Sequence, residues 1–243
     1  MGLPKLNSTI HETILPSTGQ VVKYRPFLVK EEKILLTAME SEDEKYIVNA
    51  VKQILRNCIE GNLNIDELPT FDVEFMFLRL RAKSVGEKIT VGLKPYPCVQ
   101  NEGELCKFST KVEINLEEVQ VIKNEKHSSK VMIDDNIGIK LKYPDIDVLK
   151  GKTEKKQTEM EMGMSVIKNC IDMIFTSEET HERGSFTEEE LDDFIDSLNT
   201  DQFKKIKEFF DTIPKLSHTV KYTCTTCGED KETTIEGLNS FFG

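Results

Sequence analysis

Residues 41–61, SEDEKYIVNAVKQILRNCIEG, carry a helical pattern that extends over about four turns. Their apolar side chains recur at the spacing of one helix face, namely at Ile47, Val48, Val51, Ile54, Leu55, Cys58 and Ile59. Ser41 and Glu44 have the spacing of a capping box, and Gly61 is a typical residue for a helix end. The stretch therefore predicts an amphipathic helix with Cys58 on its buried face.

Two further helices and a hairpin are predicted around this stretch. Upstream, VKEEKILLTAM is helical in pattern, and downstream FDVEFMFLRLRAKSVG follows Pro69 and Thr70 at cap positions and closes with Gly86. Residues 30–86 thus predict three packed helices. Before them, two runs of alternating apolar and polar residues flank the turn sequence PSTG at 16–19, which is typical of a β-hairpin.

The rest of the chain changes character twice. Between residues 88 and 149, the runs KITVGL, STKVEINL, VQVIK and IGIKLKY favour strands and predict a small β module. After a charged linker, KGKTEKKQTE, the segment MEMGMSVIKNCIDMIF is apolar around much of its surface and predicts a central helix. Two shorter helices are predicted to begin near Thr187 and Thr200, and Pro214 ends the second.

These elements predict an α+β fold: a mainly helical protein with an N-terminal β-hairpin, a central small β module and a C-terminal zinc-ribbon-like cysteine hairpin. Five segments follow from this division. They are an N-terminal hairpin at 1–28, a helical subdomain at 29–87, a β-rich module at 88–150, a second helical subdomain at 151–216 and a cysteine-knuckle hairpin at 217–243.

Composition limits the classes of partner. The 243-residue chain carries 43 acidic and 32 basic residues, a net charge of −11, which disfavours binding to a nucleic-acid backbone. A secretory signal and an apolar run long enough to cross a membrane are both missing from the sequence, so we expect a cytoplasmic protein without a membrane partner. Six cysteines in such a protein favour metal ligands or buried thiols over disulfides.

A weak internal repeat links two pairs of cysteines. The segment that starts at Cys106, CKFSTKVEINLEEVQV, resembles CGEDKETTIEGLNSFF, which starts at Cys227. With Cys98 and Cys224 as the partner cysteines, two hairpins would supply four thiolates, the ligand set of one structural zinc ion.

Other interpretations of these cysteines stay open. The step of eight residues from Cys98 to Cys106 is longer than the usual ligand spacing, so both hairpins could lack metal. His218, six residues before Cys224, is an alternative ligand. A thioredoxin-like redox pair is disfavoured, because that motif belongs at a strand-to-helix turn.

Catalytic and cofactor-binding residues are not predicted. Cys58 and Cys170 fall on apolar helix faces and are interpreted as buried small side chains. The histidines, His11, His127, His181 and His218, have no partner pattern of a nucleophile or a base, so surface or structural positions are expected. Phosphate-binding loops, dinucleotide fingerprints and nucleophile elbows are missing from the sequence. The chain is therefore predicted not to be an enzyme.

Four stretches together resemble the baseplate protein family of T-even-like contractile-tailed phages. They are LPKLNSTIHETILPSTGQVVKYRPFLVKEEKILLTAMES, FMFLRLRAKSVGE, GIKLKYPDID and CTTCGEDKETTIEGLNSFF, and the resemblance spans nearly the whole chain. It implies a hub subunit or hub-assembly factor without enzymatic activity, which acts in the cytoplasm of an infected bacterium. It also implies a place in the virion baseplate for a permanent subunit.

The partners implied by this resemblance are other baseplate hub or wedge proteins, with self-association as a further option. Two alternatives are a transient assembly chaperone that is absent from the finished virion and a zinc-ribbon interaction module unrelated to phage tails.

Two terminal features predict contacts. A lone two-stranded hairpin is marginally stable, so residues 7–25 are expected to serve as an interaction element as well as a structural one. Phe241 and Phe242, in a polar tail, are expected to dock on the protein itself or on a partner.

Overall fold

The computed structural model describes residues 8–41, 43–93, 110–147, 158–225 and 227–241. Contacts divide the chain into two compact units. The first unit takes in Met1–Ile65, Phe71–Ile122 and Lys215–Gly243, and the second takes in Asp66–Thr70 and Lys123–Pro214. The fold class α+β is confirmed, whereas the five segments stay a prediction at the level of domains.

The first unit begins with the predicted hairpin and three predicted helices. Strands β1 (His11–Ile14) and β2 (Val21–Tyr24) pair antiparallel, with Ile14 opposite Val21. Helices α1 (Val29–Glu40), α2 (Glu44–Cys58) and α3 (Thr70–Val85) follow. The capping box predicted at Ser41 is wrong, because α1 extends to Glu40 and the Ser41 hydroxyl donates to the Ala38 carbonyl instead. Asp43 caps α2 by accepting from the Lys45 N–H at 2.8 Å.

Helix α3 lies at the centre of the first unit. More than half of its side chains are buried, and they include Met76, Leu78 and Leu80, which have no exposed surface. Helix α2 packs a single apolar stripe, which contains the predicted Val48, Val51, Ile54, Leu55 and Cys58. The apolar residues whose helical spacing predicted α2 therefore form the face of the helix that packs into the core.

The strands of the predicted β module are confirmed, but they do not form one sheet. Strands β3 (Lys88–Leu93) and β4 (Thr110–Asn115) pair with each other, whereas β5 (Gln120–Ile122) pairs with β10 (Lys215–Thr223). The latter pairing extends to β11 (Asp230–Glu236), so that the sheet order is β11-β10-β5. Alternation along a strand shows which face is buried but not which strand lies beside it, so the partners were not predictable from the run of β segments.

The second unit is built on a four-stranded antiparallel sheet. Its order is β6 (Lys130–Met132), β7 (Gly138–Leu141), β8 (Ile171–Phe175) and β9 (Thr180–Glu182). Helices α4 (Glu159–Cys170), α5 (Glu188–Asp196) and α6 (Thr200–Asp211) complete the unit, and Ile139, Ile171, Leu191 and Ile206 are among the residues of its core. Gly138 leaves room for the Phe175 ring opposite it, because a Cβ atom there would lie 2.3 Å from that ring.

The prediction of one central helix across residues 160–175 is wrong for residues 171–175. Helix α4 ends at Cys170, and Ile171–Phe175 form β8 between β7 and β9. The segment is apolar on all sides because two elements follow each other, a helix with one buried face and a strand at the centre of a sheet. Met160, at the start of α4, is exposed.

Candidate interaction surface and cysteine turn

The turn of the N-terminal hairpin is anchored by a buried carboxylate. Ser17 donates its backbone N–H to Asp72 Oδ1 at 3.1 Å and its hydroxyl to Asp72 Oδ2. Asp72 lies in the first turn of α3 and is fully buried. Burial raises the pKa of Asp72 above its usual value, although the hydrogen bonds from Ser17 oppose that shift. The turn is therefore held on α3 by hydrogen bonds to one side chain.

The other end of the hairpin is joined to the end of α2. The Arg25 N–H donates to the Cys58 carbonyl at 2.9 Å, and the Glu60 N–H donates to the Lys23 carbonyl at 2.8 Å. The Arg25 guanidinium donates to Glu31 Oε1 at 3.1 Å and to the Asn57 carbonyl at 2.9 Å. Residues 58–60 thus supply the backbone partner that a lone hairpin lacks.

The opposite face of the hairpin is apolar and exposed. Ile14 and Val21 are cross-strand partners with 59% and 54% of their surfaces exposed. Ile10, just before β1, is exposed as well. A single exposed ion pair, Glu12 with Lys23 at 3.2 Å, lies next to them. Within the described residues, β1 pairs with no strand other than β2. The hairpin therefore combines a fixed inner face with an apolar outer face and an open strand edge, which is typical of a binding element.

Cys224 and Cys227 lie in the turn between β10 and β11, as the sequence predicts. The Cys224 N–H donates to the Glu229 carbonyl and the Gly228 N–H donates to the Cys224 carbonyl, both at 2.8 Å. Gly228 has a φ of 74°, a left-handed conformation that favours glycine. Cys224 is buried, and Cys227 packs against it. The turn brings the two thiols together.

The first residue of β4 joins this turn to the chain segment that carries the other two cysteines. Thr110 Oγ1 lies 3.9 Å from Cys224 Sγ and accepts from the Thr225 N–H at 3.4 Å. Thr110 is also the cross-strand partner of Leu93, so both ends of the connection 94–109 begin beside the cysteine turn. Cys98 and Cys106 lie in that connection, outside the described residues. Among the residues that are described, no group of three or more potential metal ligands occurs.

The other cysteines and two of the histidines named in the sequence lie in the core, in a side-chain contact or in a strand. Cys58 and Cys170 are buried, and burial raises the pKa of their thiols to about 11 and about 12, which disfavours a reactive thiolate. His127 places its Nδ1 atom 2.9 Å from Thr212 Oγ1 and stacks on Tyr143. His218, the alternative ligand, lies in β10 opposite Ile235.

Three charged residues that organise the first unit were not predicted from the sequence: Glu31, Asp72 and Arg79. Asp72 and Arg79 stand within the apolar run FDVEFMFLRLR, and a charge in such a run is a signal for a buried, paired group. Glu31 has no comparable signal, because the residues VKEEK around it are typical of an exposed helix start.

A family model described as T4 bacteriophage base plate protein matches residues 7–243. The chain belongs to this family. Neither curated proteins nor solved structures gave a significant match.

Membership in the T4 bacteriophage base plate protein family gives the chain a structural or assembly role in a phage baseplate, with other baseplate proteins as partners. The resemblance that the sequence carried is thereby confirmed, and a zinc-ribbon module unrelated to phage tails is no longer an alternative. A baseplate family of this kind points to a role without catalysis. In the part of the chain that the structure describes, no helix has the length and hydropathy needed to cross a bilayer.

Phe241 is buried in the first unit, at the end of a short 3-10 turn formed by Leu238–Phe241. The turn packs beside β3, and the Leu238 N–H donates to Glu74 Oε1 at 3.4 Å. This confirms docking on the protein itself for Phe241, whereas Phe242 lies outside the described residues.

Proposed function

We propose that this chain is a hub subunit or a hub-assembly factor of a contractile-tail phage baseplate, and that it acts by protein-protein interaction without catalysis. It would bind other hub or wedge proteins in the host cytoplasm during assembly, and a hub subunit would remain in the virion baseplate. The observation that carries the proposal is the N-terminal hairpin, whose inner face is fixed on α2 and α3 while Ile14 and Val21 are exposed on its outer face. Family membership supports the baseplate as the place of action.

The hairpin is best tested by substitution, because Val22 and Tyr24 belong to the core and a deletion would remove them. Changing both Ile14 and Val21 to lysine is expected to reduce recovery of other baseplate proteins about tenfold, since a charge in an apolar contact loses its solvation. The measurement is quantitative mass spectrometry of proteins that co-purify with the tagged chain from infected cells. The thermal unfolding midpoint should stay unchanged, because both side chains are exposed.

Ile122→Lys provides the matched control, because Ile122 is an exposed apolar residue on β5, outside the hairpin. It should leave recovery of the baseplate proteins at the level of the unmodified chain. If the hairpin variant folds and recovers its partners as well as this control does, the hairpin is not the binding element.

Counting copies of the chain in purified virions separates a permanent subunit from a transient assembly chaperone. A fixed number of copies per particle supports the hub subunit. If the chain is required for baseplate assembly and is lacking in purified particles, it is an assembly factor.

We also propose that Cys98, Cys106, Cys224 and Cys227 bind one structural zinc ion. Cys224 and Cys227 support this, because they are adjacent in a turn of the kind that holds paired thiolate ligands. The reach of the chain supports it as well. Cys106 is four residues from Thr110 and Cys98 is five residues from Leu93, spans of at most about 14 and 18 Å. Bound zinc would stabilise the C-terminal hairpin and the connection 94–109 together.

Elemental analysis of protein purified without a chelator tests this second proposal. We expect about one zinc ion per chain, and its loss in Cys224→Ser, because a closed site needs all four ligands. Cys58→Ala, which changes a thiol on α2, should keep the zinc. A chelator should speed amide hydrogen exchange in residues 88–116 and 220–243 together. Zinc well below one per chain, with Cys224→Ser and Cys227→Ser still folded and competent in assembly, would falsify the proposal.

A further inference from the structure

His127 lies in the connection between β5 and β6, near the start of the continuous part of the second unit, Lys123–Pro214. Its Nδ1 atom is 2.9 Å from Oγ1 of Thr212, the first residue after α6 and close to the end of that part. The His127 backbone N–H donates to the Asn124 carbonyl at 3.0 Å, which holds the residue in a turn. One side-chain contact therefore joins the beginning and the end of a chain segment that runs through the unit.

The hydrogen bonds of Thr212 determine which ring nitrogen of His127 carries the proton. The Thr212 hydroxyl donates to the Glu208 carbonyl at 2.7 Å, with the Phe209 carbonyl at 3.1 Å as a second acceptor. Because the single hydroxyl proton is used there, the Thr212 oxygen accepts from His127. The hydrogen-bond network thus assigns the neutral tautomer in which Nδ1 is protonated and Nε2 is not.

The other ring nitrogen of His127 has no polar environment. Its Nε2 atom is buried and has no hydrogen-bond partner among the described residues. The ring stacks on Tyr143 with centroids 5.4 Å apart and contacts the Phe209 ring at a centroid distance of 4.9 Å. Phe209 is itself a residue of the core of the second unit. A second proton on His127 would therefore create an N–H that faces neither water nor, in the part of the chain that the structure describes, an acceptor.

The charges around His127 do not favour a cation. Burial lowers the pKa of the ring below its usual value, and Lys123 on the same connection lowers it further. The residues that contact the ring, Tyr143, Phe209 and Thr212, are uncharged. The other charged residues next to these elements are exposed: Glu125, Lys126, Lys142, Glu208 and Asp211. Among the described residues, no carboxylate contributes to the shift in this pKa.

We propose that His127 is a pH-sensitive clamp of the second unit, closed while its ring is neutral and opened when the ring takes up a second proton. An imidazolium ring gains some attraction from the faces of Tyr143 and Phe209. That attraction is smaller than the cost of a charged N–H that is buried without an acceptor, because such a group loses its hydration and gains no partner. Opening exposes Nε2 to water and separates residues 123–129 from the end of α6.

The direction of the pH effect follows from the lower pKa of His127 in the closed form. The clamp contributes its full stability above the ordinary histidine pKa of about 6.5, because neither form carries the second proton there. As the pH falls below this value, the open form takes up the proton and the closed form does not, so opening becomes more frequent. The loss ends at the pKa of the closed form, below which both forms are protonated.

Amide hydrogen exchange in the full-length protein measures this opening, after correction for the intrinsic pH dependence of exchange. Protection in residues 123–129 and 208–213 should fall by up to about eightfold between pH 7 and about pH 5.5, the factor by which protonation at a pKa of about 6.5 populates the open form. His127→Phe should remove this response, because phenylalanine keeps the aromatic contacts and takes up no proton. His181→Phe is the control and should keep it, since His181 is exposed on β9 of the same unit.

Two results of this experiment would overturn the clamp. They are a fall in protection that is equal in His127→Phe and in the unmodified chain, and protection in the unmodified chain that does not change with pH.

An NMR titration of the unmodified protein with isotope-labelled histidine does not depend on the folding of any variant. The ring of His127 should be protonated on Nδ1 at pH 7 and should take up its second proton below about pH 6.5. A ring protonated on Nε2, or a titration at or above that pH, would contradict the proposal.

Discussion

Glu31→Gln is expected to destabilise the first unit by about 3 kcal/mol at pH 7, because it leaves a partly buried guanidinium without its carboxylate. The Glu31 side chain has no exposed surface, and the side chain of its partner Arg25 is 18% exposed. Glu31 also accepts the Leu28 N–H at 2.9 Å, at the start of α1. One substitution therefore weakens both the start of α1 and the link between the hairpin and α2.

The same pair predicts a dependence of stability on pH. Burial favours the neutral carboxyl, but the hydrogen bonds from Arg25 and from the Leu28 N–H outweigh it and hold the pKa of Glu31 below its usual value. Because the pKa is lower in the folded state, the contribution to stability is fully present above the unfolded pKa of about 4.3. It is lost as the pH falls through the folded pKa. The difference between the unmodified chain and Glu31→Gln should thus shrink in acid.

Urea unfolding at pH 7 and at lower pH measures this effect. Glu32→Gln is the matched control, since Glu32 is the next residue of α1 and is exposed. Replacing both Arg25 and Glu31 by methionine should recover much of the lost stability, because an apolar pair leaves no charge unpaired. Equal losses in Glu31→Gln and Glu32→Gln at pH 7 would show that the buried pair does not contribute.

Arg79→Met is expected to destabilise the first unit by about 3 kcal/mol, since it removes two hydrogen bonds from a charged donor to buried carbonyls. The guanidinium donates from Nη1 to the Leu116 carbonyl and from Nη2 to the Val119 carbonyl, both at 2.8 Å. Leu116 and Val119 are fully buried, and the guanidinium lies 4.6 Å from the centre of the Phe75 ring. Burial lowers the pKa of Arg79, but an arginine keeps its proton at neutral pH.

The expected readout combines urea unfolding with hydrogen exchange. Amides in residues 110–122 should exchange faster in Arg79→Met, because the connection between β4 and β5 loses its anchor on α3. The stability of Arg79→Lys should lie between that of the unmodified chain and that of Arg79→Met, because one ammonium group does not reproduce the two hydrogen bonds of a planar guanidinium. Lys33→Met, which removes an exposed cation from α1 of the same unit, serves as control. Unfolding midpoints that agree between Arg79→Met and Lys33→Met would contradict the prediction.

The sequence by itself determined the elements whose signals are local. The stripe that ends at Cys58 determined α2, and the turn residues at 16–19 determined the N-terminal hairpin. The pair Cys224 and Cys227, followed by Gly228, determined the turn between the last two strands. Each signal arises within a few residues, because helix period and turn geometry depend on neighbouring backbone angles and side chains. The family was also recognisable from the sequence, because the stretches that carry the resemblance are runs of consecutive residues.

Only the tertiary structure decided which distant segments meet. Strand β5 pairs with β10, with Leu216 opposite Val121 across a separation of 95 residues. Thr110 lies against Cys224 across a separation of 114 residues. Ile171–Phe175 became a strand because β7 and β9 bind its two edges. Glu31 became buried because Arg25 reaches it from the end of β2. Backbone hydrogen bonds are alike for every strand, and the entropy of loop closure depends only weakly on loop length, so neither selects which segments pair. The pairing is therefore set by side-chain packing across the whole chain.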